Sequence, residues 1–155
     1  MLDTSQNDGN GEMELVSFRI GDQEFCIDIM SVREIRGWTP ATPIPHAPRY
    51  VRGVINLRGA VLPIVDLASR LGLPFTDPSA RHVIIVTQIG ERMAGLLVDA
   101  VSDILSLDRS SVQSTPDVTS SLAKSFVNGV IALEGRMVSM ITLENIMPQA
   151  EKEAA

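Results

Sequence analysis

The chain has 155 residues, of which 45% are hydrophobic and 4% aromatic, enough for one domain or two small subdomains whose core is filled by Val, Ile, Leu and Met. Its formal charge is -6 and no Lys/Arg cluster interrupts the acidic balance. That combination excludes the concentrated positive surface that nucleic acid or an anionic membrane requires.

Residues 1–12 are polar and acidic, with no apolar run for a signal peptide and nothing to bury; they are expected to form a disordered tail. From Glu14 the text turns strand-like. ELVSFRI alternates, with Leu15, Ser17 and Arg19 on one face and Val16, Phe18 and Ile20 on the other. Gly21-Asp22 places Gly at the first turn position, the type II′ signature, and EFCIDI returns. Cys26, the only cysteine, falls inside this apolar run and reads as a small buried hydrophobe in a reducing, cytoplasmic compartment. SVREIRGW follows. Ser31 and Glu34 have the spacing of a capping box, so a helical turn fits, and so does an extended continuation.

Thr39–Pro48 holds four prolines and must run extended or PPII-like between elements. VRGVINLRGAVLPIVDL, Val51 to Leu67, is a β-hairpin: two apolar runs joined at Arg58-Gly59, where Gly supplies the positive φ of the second turn position. LASRLGLP reads as a short helix stopped by Gly72 and Pro74. RHVIIVTQIG and RMAGLLVDAV form another strand pair around Gly90-Glu91. The Ser/Thr-rich stretch 106–125 reads as a long surface loop. VNGVIALEGRMVSMITL, Val127 to Leu143, is a further hairpin, and LENIM a short helix that ends near Pro148.

The chain says nearly the same thing twice. RIGDQEFCIDIMSVREI aligns with QIGERMAGLLVDAVSDI, and the two hairpins align with each other, giving repeats over about 14–74 and 82–148. Short strands with a turn every ~8–12 residues indicate small β-barrels or sandwiches. One such unit is small to bury its own core, so two are expected to pack together and leave a seam where a partner docks. At corresponding places the first copy carries Glu34 and Arg58, the second Asp103 and Glu134. Repeats keep what a fold needs, so this difference in charge marks a surface used differently in each half.

Chemistry is sparse. His46 and His82 have no second ligand at metal spacing, and no phosphate-binding or nucleophile motif occurs. Neither a metal nor a cofactor is expected. Asp66 and Asp99 each close an apolar strand; they would form a general acid–base pair if they met in a cleft, and otherwise cap the turns that follow.

SVREIRGW, the hairpin with NLRG at its turn, and GLLVDAVSDILSL together resemble the CheW-type chemotaxis coupling proteins, over roughly Glu14 to Met147. The resemblance implies a mainly β fold of two SH3-like five-stranded β-barrel subdomains, intertwined over 13–148 and accompanied by short helices, with a tail at 149–155. It implies no catalytic activity. The implied role is to link the cytoplasmic signalling tip of transmembrane chemoreceptors to the regulatory domain of the histidine kinase CheA, in an adaptor recruited to membrane-anchored arrays. By that resemblance Glu34 and Arg58 form the charged pair of the receptor-facing surface, and Val32, Ile35, Gly53, Val83 and Ile104 line or support its groove. Gly37, Ala41 and Thr42 match the region that meets the kinase, although Pro40 and Pro43 stiffen this segment relative to the commoner pattern. The same scaffold serving an array that controls surface motility or biofilm output, and an enzyme built on Asp66 and Asp99, are the alternatives.

Overall fold

The computed structural model describes residues 11–74, 77–114 and 125–146. Its strands are β1 (Glu12–Ile20), β2 (Gln23–Asp28), β3 (Val32–Gly37), β4 (Val51–Leu57), β5 (Ala60–Asp66), β6 (Val83–Ile89), β7 (Arg92–Val98), β8 (Ala100–Asp108), β9 (Val112–Gln113), β10 (Val127–Leu133) and β11 (Arg136–Ile141). Two short helices, α1 (Leu67–Arg70) and α2 (Leu143–Ile146), follow β5 and β11.

The strands form two sheets. The middle of the chain makes a five-stranded sheet in the order β3-β6-β7-β5-β4, and the two ends make a six-stranded one in the order β8-β1-β2-β11-β10-β9. The sixth strand arises because the β8 segment breaks at a 3-10 turn, Arg109–Ser111, and resumes as the two-residue β9. Each copy of the sequence repeat therefore contributes to both sheets. The expected loop over 106–125 is strand and 3-10 turn through Gln113, while 115–124 lie outside the described residues. So do positions 1–10 of the expected N-terminal tail, the stop at Pro148 and the tail at 149–155; β1 already begins at Glu12.

Alternation explains where the cores sit. The even face of β1, Val16, Phe18 and Ile20, enters the largest apolar cluster together with Phe25 and Ile27 of β2, Leu96 and Val98 of β7, and Ile141 and Ile146. The odd face sends Leu15 into a separate core with Cys26, Ile131 and Val138. The middle sheet has its own interior of Ile55, Leu57, Leu62, Ile64, Ile84, Val86 and Leu97. Each sheet thus curls around a private core and shares the largest one with its neighbour. With cores on both sides of β1, Ser17 is buried as fully as its apolar neighbours. The Ser17 hydroxyl is satisfied at a β-bulge: the Asp103 N–H donates to it at 3.0 Å.

Local structure follows sequence closely at the turns. Gly21 and Gly90 lead their turns with φ of 60° and 61°, as type II′ requires. At the β4–β5 tip both central residues are left-handed, Arg58 at 51° and Gly59 at 88°, whereas at the β10–β11 tip only Gly135, at 73°, is left-handed. SVREIRGW resolves into its extended alternative: Ile29–Ser31 is a single 3-10 turn capped by Asp28, and Val32–Gly37 is strand. The Pro-rich connector is not extended throughout, because His46 is left-handed after Pro45 and the chain turns there. Asp66 caps α1 through the Ser69 N–H. Arg70 of α1 stacks over Tyr50 at 4.0 Å and Phe126 at 5.1 Å and donates to the Asn145 carbonyl at 2.9 Å, pinning the two sheets together.

Candidate functional site

Strand alternation puts Glu34 and Arg36 of β3 on one face, two residues apart, while Ile35 points the other way. β3 is an edge strand, bonded only to β6 within its sheet, so these side chains stand at a border. The β4–β5 turn brings Arg58 to the same place. Its guanidinium donates to one Glu34 carboxylate oxygen at 2.6 Å, and Arg36 donates to the other at 3.3 Å. Arg58 is 71% exposed and Glu34 29%. The hydrogen bond from Arg58 holds the Glu34 carboxyl below its ordinary 4.5, against a smaller opposing effect of desolvation, with Arg36 helping. A carboxylate held between two guanidinium groups, one of them largely exposed, can orient a charged or polar partner.

The pairing of Glu34 with Arg58, two residues 24 apart in sequence, is thus realised in space. Arg36 is a third member that sequence reading missed. Its signal was the i, i+2 spacing, informative only once the segment is known to be a strand. Ile35, on the opposite face of β3, is 46% exposed. Val32 and Val83 are half-buried and pack against the central core, and Gly37 stands opposite Val83 on β6. Ile104 is 63% exposed on β8, in the other sheet.

Gly53 has a backbone task. It is buried with φ of 143°, and a Cβ there would sit 2.3 Å from the Thr42 carbonyl oxygen. The Pro-rich connector crosses β4 at that point: Thr42 and Val54 exchange two backbone hydrogen bonds of 2.8 and 2.9 Å, and Ala41 packs against the core of the middle sheet. Gly53 therefore supports the very segment, Ala41-Thr42, that sequence reading gave to a different partner.

The second sheet builds its own version of the charge cluster. Asp103, the counterpart of Glu34, faces Arg136 at 3.5 Å, and Arg136 also reaches the buried Glu24 at 3.4 Å. The cation stands two residues beyond Glu134, on the strand and not at the turn. Opposite charges at the two tips hid the fact that both acidic residues are paired.

Asp66 and Asp99 do not meet. Asp66 is fully buried and accepts from Arg52 Nε at 3.1 Å and Nη2 at 2.9 Å. Asp99 accepts from the Gly21 N–H at 2.8 Å, in a turn far from it in sequence, and lies 3.5 Å from His82. The expectation that Asp99 caps the turn after it is thereby corrected: β8 begins at Ala100, so no turn follows, and the pairing of Arg19 with Ala100 brings the Gly21 turn to it. His82 is likewise mostly covered, its Nδ1 accepting from the Ser79 N–H at 3.0 Å. Among the described residues no group of three His, Cys, Asp or Glu is placed to hold a metal, and no helix is long and apolar enough to cross a membrane. Burial pushes the Cys26 thiol up to about 12, with Glu24 adding to it, as suits a packing residue and not a nucleophile. A cleft of about 250 Å³ opens where the sheets meet, near Met13, Ser31, Ile89, Arg109 and Leu143. None of the expected site residues lines it.

The family model described as the CheW-like domain matches residues 14–151. The chain is 58% identical over 155 residues to a chemotaxis protein CheW of Rhizobium meliloti (strain 1021), covering 100% of both, and 36% identical over 138 residues to one of Klebsiella aerogenes, covering 89% of this chain and 83% of that one. Among solved structures it is similar to the scaffolding protein TtCheW from Thermoanaerobacter tengcongensis, with TM-score 0.77 and 31% identity over 84% of this chain and 88% of that one. The two curled sheets are two SH3-like barrels packed together, and this chain belongs to the CheW-like domain family.

Proposed function

We propose that this protein is a non-catalytic cytoplasmic adaptor that couples the signalling tip of chemoreceptors to the regulatory domain of the histidine kinase CheA in chemotaxis. The observation that carries the reading is the exposed Arg58 held on Glu34, with Ile35 exposed on the other face of the same edge strand, in a chain whose relatives are named as chemotaxis and scaffolding proteins. A receptor tip presents a helical surface with an apolar stripe and polar flanks; Ile35 offers an apolar contact and the Arg58–Glu34–Arg36 cluster a charged rim that fixes orientation. Val32 and Val83 support this surface from behind, Gly53 braces the neighbouring connector instead, and Ile104 extends the surface onto the second barrel. The connector at Gly37, Ala41 and Thr42, braced on β4, is the kinase-facing segment. Recruitment to membrane-anchored arrays follows from these two contacts.

Co-sedimentation with a receptor signalling tip and a kinase regulatory domain tests the reading. The wild type is expected to form a ternary assembly. Arg58→Ala or Glu34→Ala is expected to weaken receptor association about threefold or more, the scale of a rim charge pair, with thermal stability little changed. Failure of the wild type to bind either partner overturns the coupling role; normal binding by both folded variants overturns the site.

A further inference from the structure

Arg58 occupies a backbone conformation that its side chain disfavours. At φ of 51° an L-residue with a Cβ crowds the following carbonyl, and Gly or Asn is the usual occupant. Something must hold this turn open in its doubly left-handed form. Asn56, two residues earlier, supplies it: its side-chain oxygen accepts the Gly59 N–H at 3.0 Å, across the tip. Rotating Arg58 out of the left-handed region would swing the Arg58–Gly59 peptide and take that N–H away from the oxygen.

The protein contains its own comparison. In the second hairpin, VIALEG aligns with VINLRG, so Ala132 stands where the first hairpin has Asn56. Ala132 has no acceptor to offer. There Glu134 is not left-handed, only Gly135 is, and Asp103 takes its arginine from Arg136 on the strand. Two hairpins of one fold thus differ together in the side-chain acceptor, the conformation of the tip residue and the origin of the cation.

We propose that Asn56 is the positioning residue of this surface: by accepting the Gly59 N–H it fixes the left-handed conformation of Arg58 and so places the guanidinium on Glu34. This deepens the receptor-facing role proposed above and rests on it for binding alone.

The test compares the full chain with Asn56→Ala and Asn56→Asp, the second keeping an oxygen at the same reach. Three readings are taken: the backbone chemical shifts of Arg58, the titration of the Glu34 carboxyl by NMR, and association with a receptor signalling tip. In Asn56→Ala the Arg58 shifts are expected to leave the left-handed range and the Glu34 carboxyl to rise toward 4.5, because its largest stabilising contact is lost. Receptor association is expected to weaken about threefold, the same scale as removing the rim charge. Asn56→Asp is expected to restore the Arg58 shifts. Unchanged Arg58 shifts or an unchanged Glu34 titration in Asn56→Ala overturn the inference, and so does a failure of Asn56→Asp to restore the shifts. If Asn56→Ala releases Arg58 and raises Glu34 while receptor association stays normal, the positioning role stands and the receptor-facing reading of the pair falls.

Discussion

Replacing Gly53 by Ala adds one carbon atom, and the structure says what it meets. The new Cβ would lie 2.3 Å from the Thr42 carbonyl oxygen and 2.6 Å from its carbonyl carbon, both backbone atoms that no rotamer change can move aside. Backbone strain at φ of 143° adds roughly 1–3 kcal/mol for a residue with a side chain. Relief requires the connector to lift off β4, which gives up the two Thr42–Val54 hydrogen bonds at about 0.5–1.5 kcal/mol each. Together these put the loss at roughly 2–6 kcal/mol. The repeat supplies a matched control. Gly129 is the counterpart of Gly53, it is not left-handed, and its added Cβ would meet the Val112 side chain first, at 2.5 Å. A side chain can yield, so Gly129→Ala should cost about 1–2 kcal/mol as overpacking. Urea denaturation of the two variants measures the difference, with the slope expected to stay at the wild-type value. If Gly53→Ala proves no more destabilising than Gly129→Ala, the argument that Gly53 exists for the connector is wrong.

Asp66→Asn keeps an acceptor for the Ser69 N–H but removes the carboxylate from Arg52 in a fully buried position; a loss of about 3 kcal/mol is expected in the same denaturation assay, near the lower end for a broken buried pair because Arg52 still touches solvent. Phe18→Ala opens the central core, where Phe18 stacks with Phe25 at 6.0 Å, and should cost about 3–5 kcal/mol with parallel loss of near-UV signal from both barrels. The Glu34 carboxyl titrates below 4.5. A lowered folded value means the pair contributes fully above that point and is lost as pH falls through it. The difference in receptor association between wild type and Glu34→Gln is therefore expected to be flat from neutral pH down to 4.5 and to close only below it. A difference that closes near neutral pH would show that another group controls the contact.

How much of this could be read from the sequence depends on how local the cause was. Turn chemistry is local, and the Gly-first turns at Gly21 and Gly90 and the positive φ of Gly59 were legible, whereas the left-handed Arg58 before it was not. The alternation of β1 was legible too, but not its consequence. Val16 and Phe18 serve one core while Leu15 serves another, and only the arrangement of the two sheets decides that. The Glu34–Arg58 pair came from family resemblance; Arg36 and Asn56 came from neither resemblance nor spacing, because each acts through a hydrogen bond whose geometry needs the strand and the turn to exist first. Arg136 was hidden for a different reason. Matching the repeats position by position led from Arg58 to Glu134, while the cation that answers Asp103 had moved two residues along the strand.

The threading of the sheets has a consequence for how the protein is made. β1 and β2 leave the ribosome first, yet their lasting partners β8 and β11 lie beyond a segment, residues 29–99, that builds a sheet of its own. At about 5–20 residues per second, that segment takes roughly 4–14 s to synthesise. Through that interval Phe18, Phe25 and Ile27 belong to a hairpin whose core gains Val65, Ile85 and Leu96 from the middle sheet but still lacks Ile141 and Ile146, and two strands alone are marginal in water. The middle barrel can fold on emergence; the outer one must wait for its own far end.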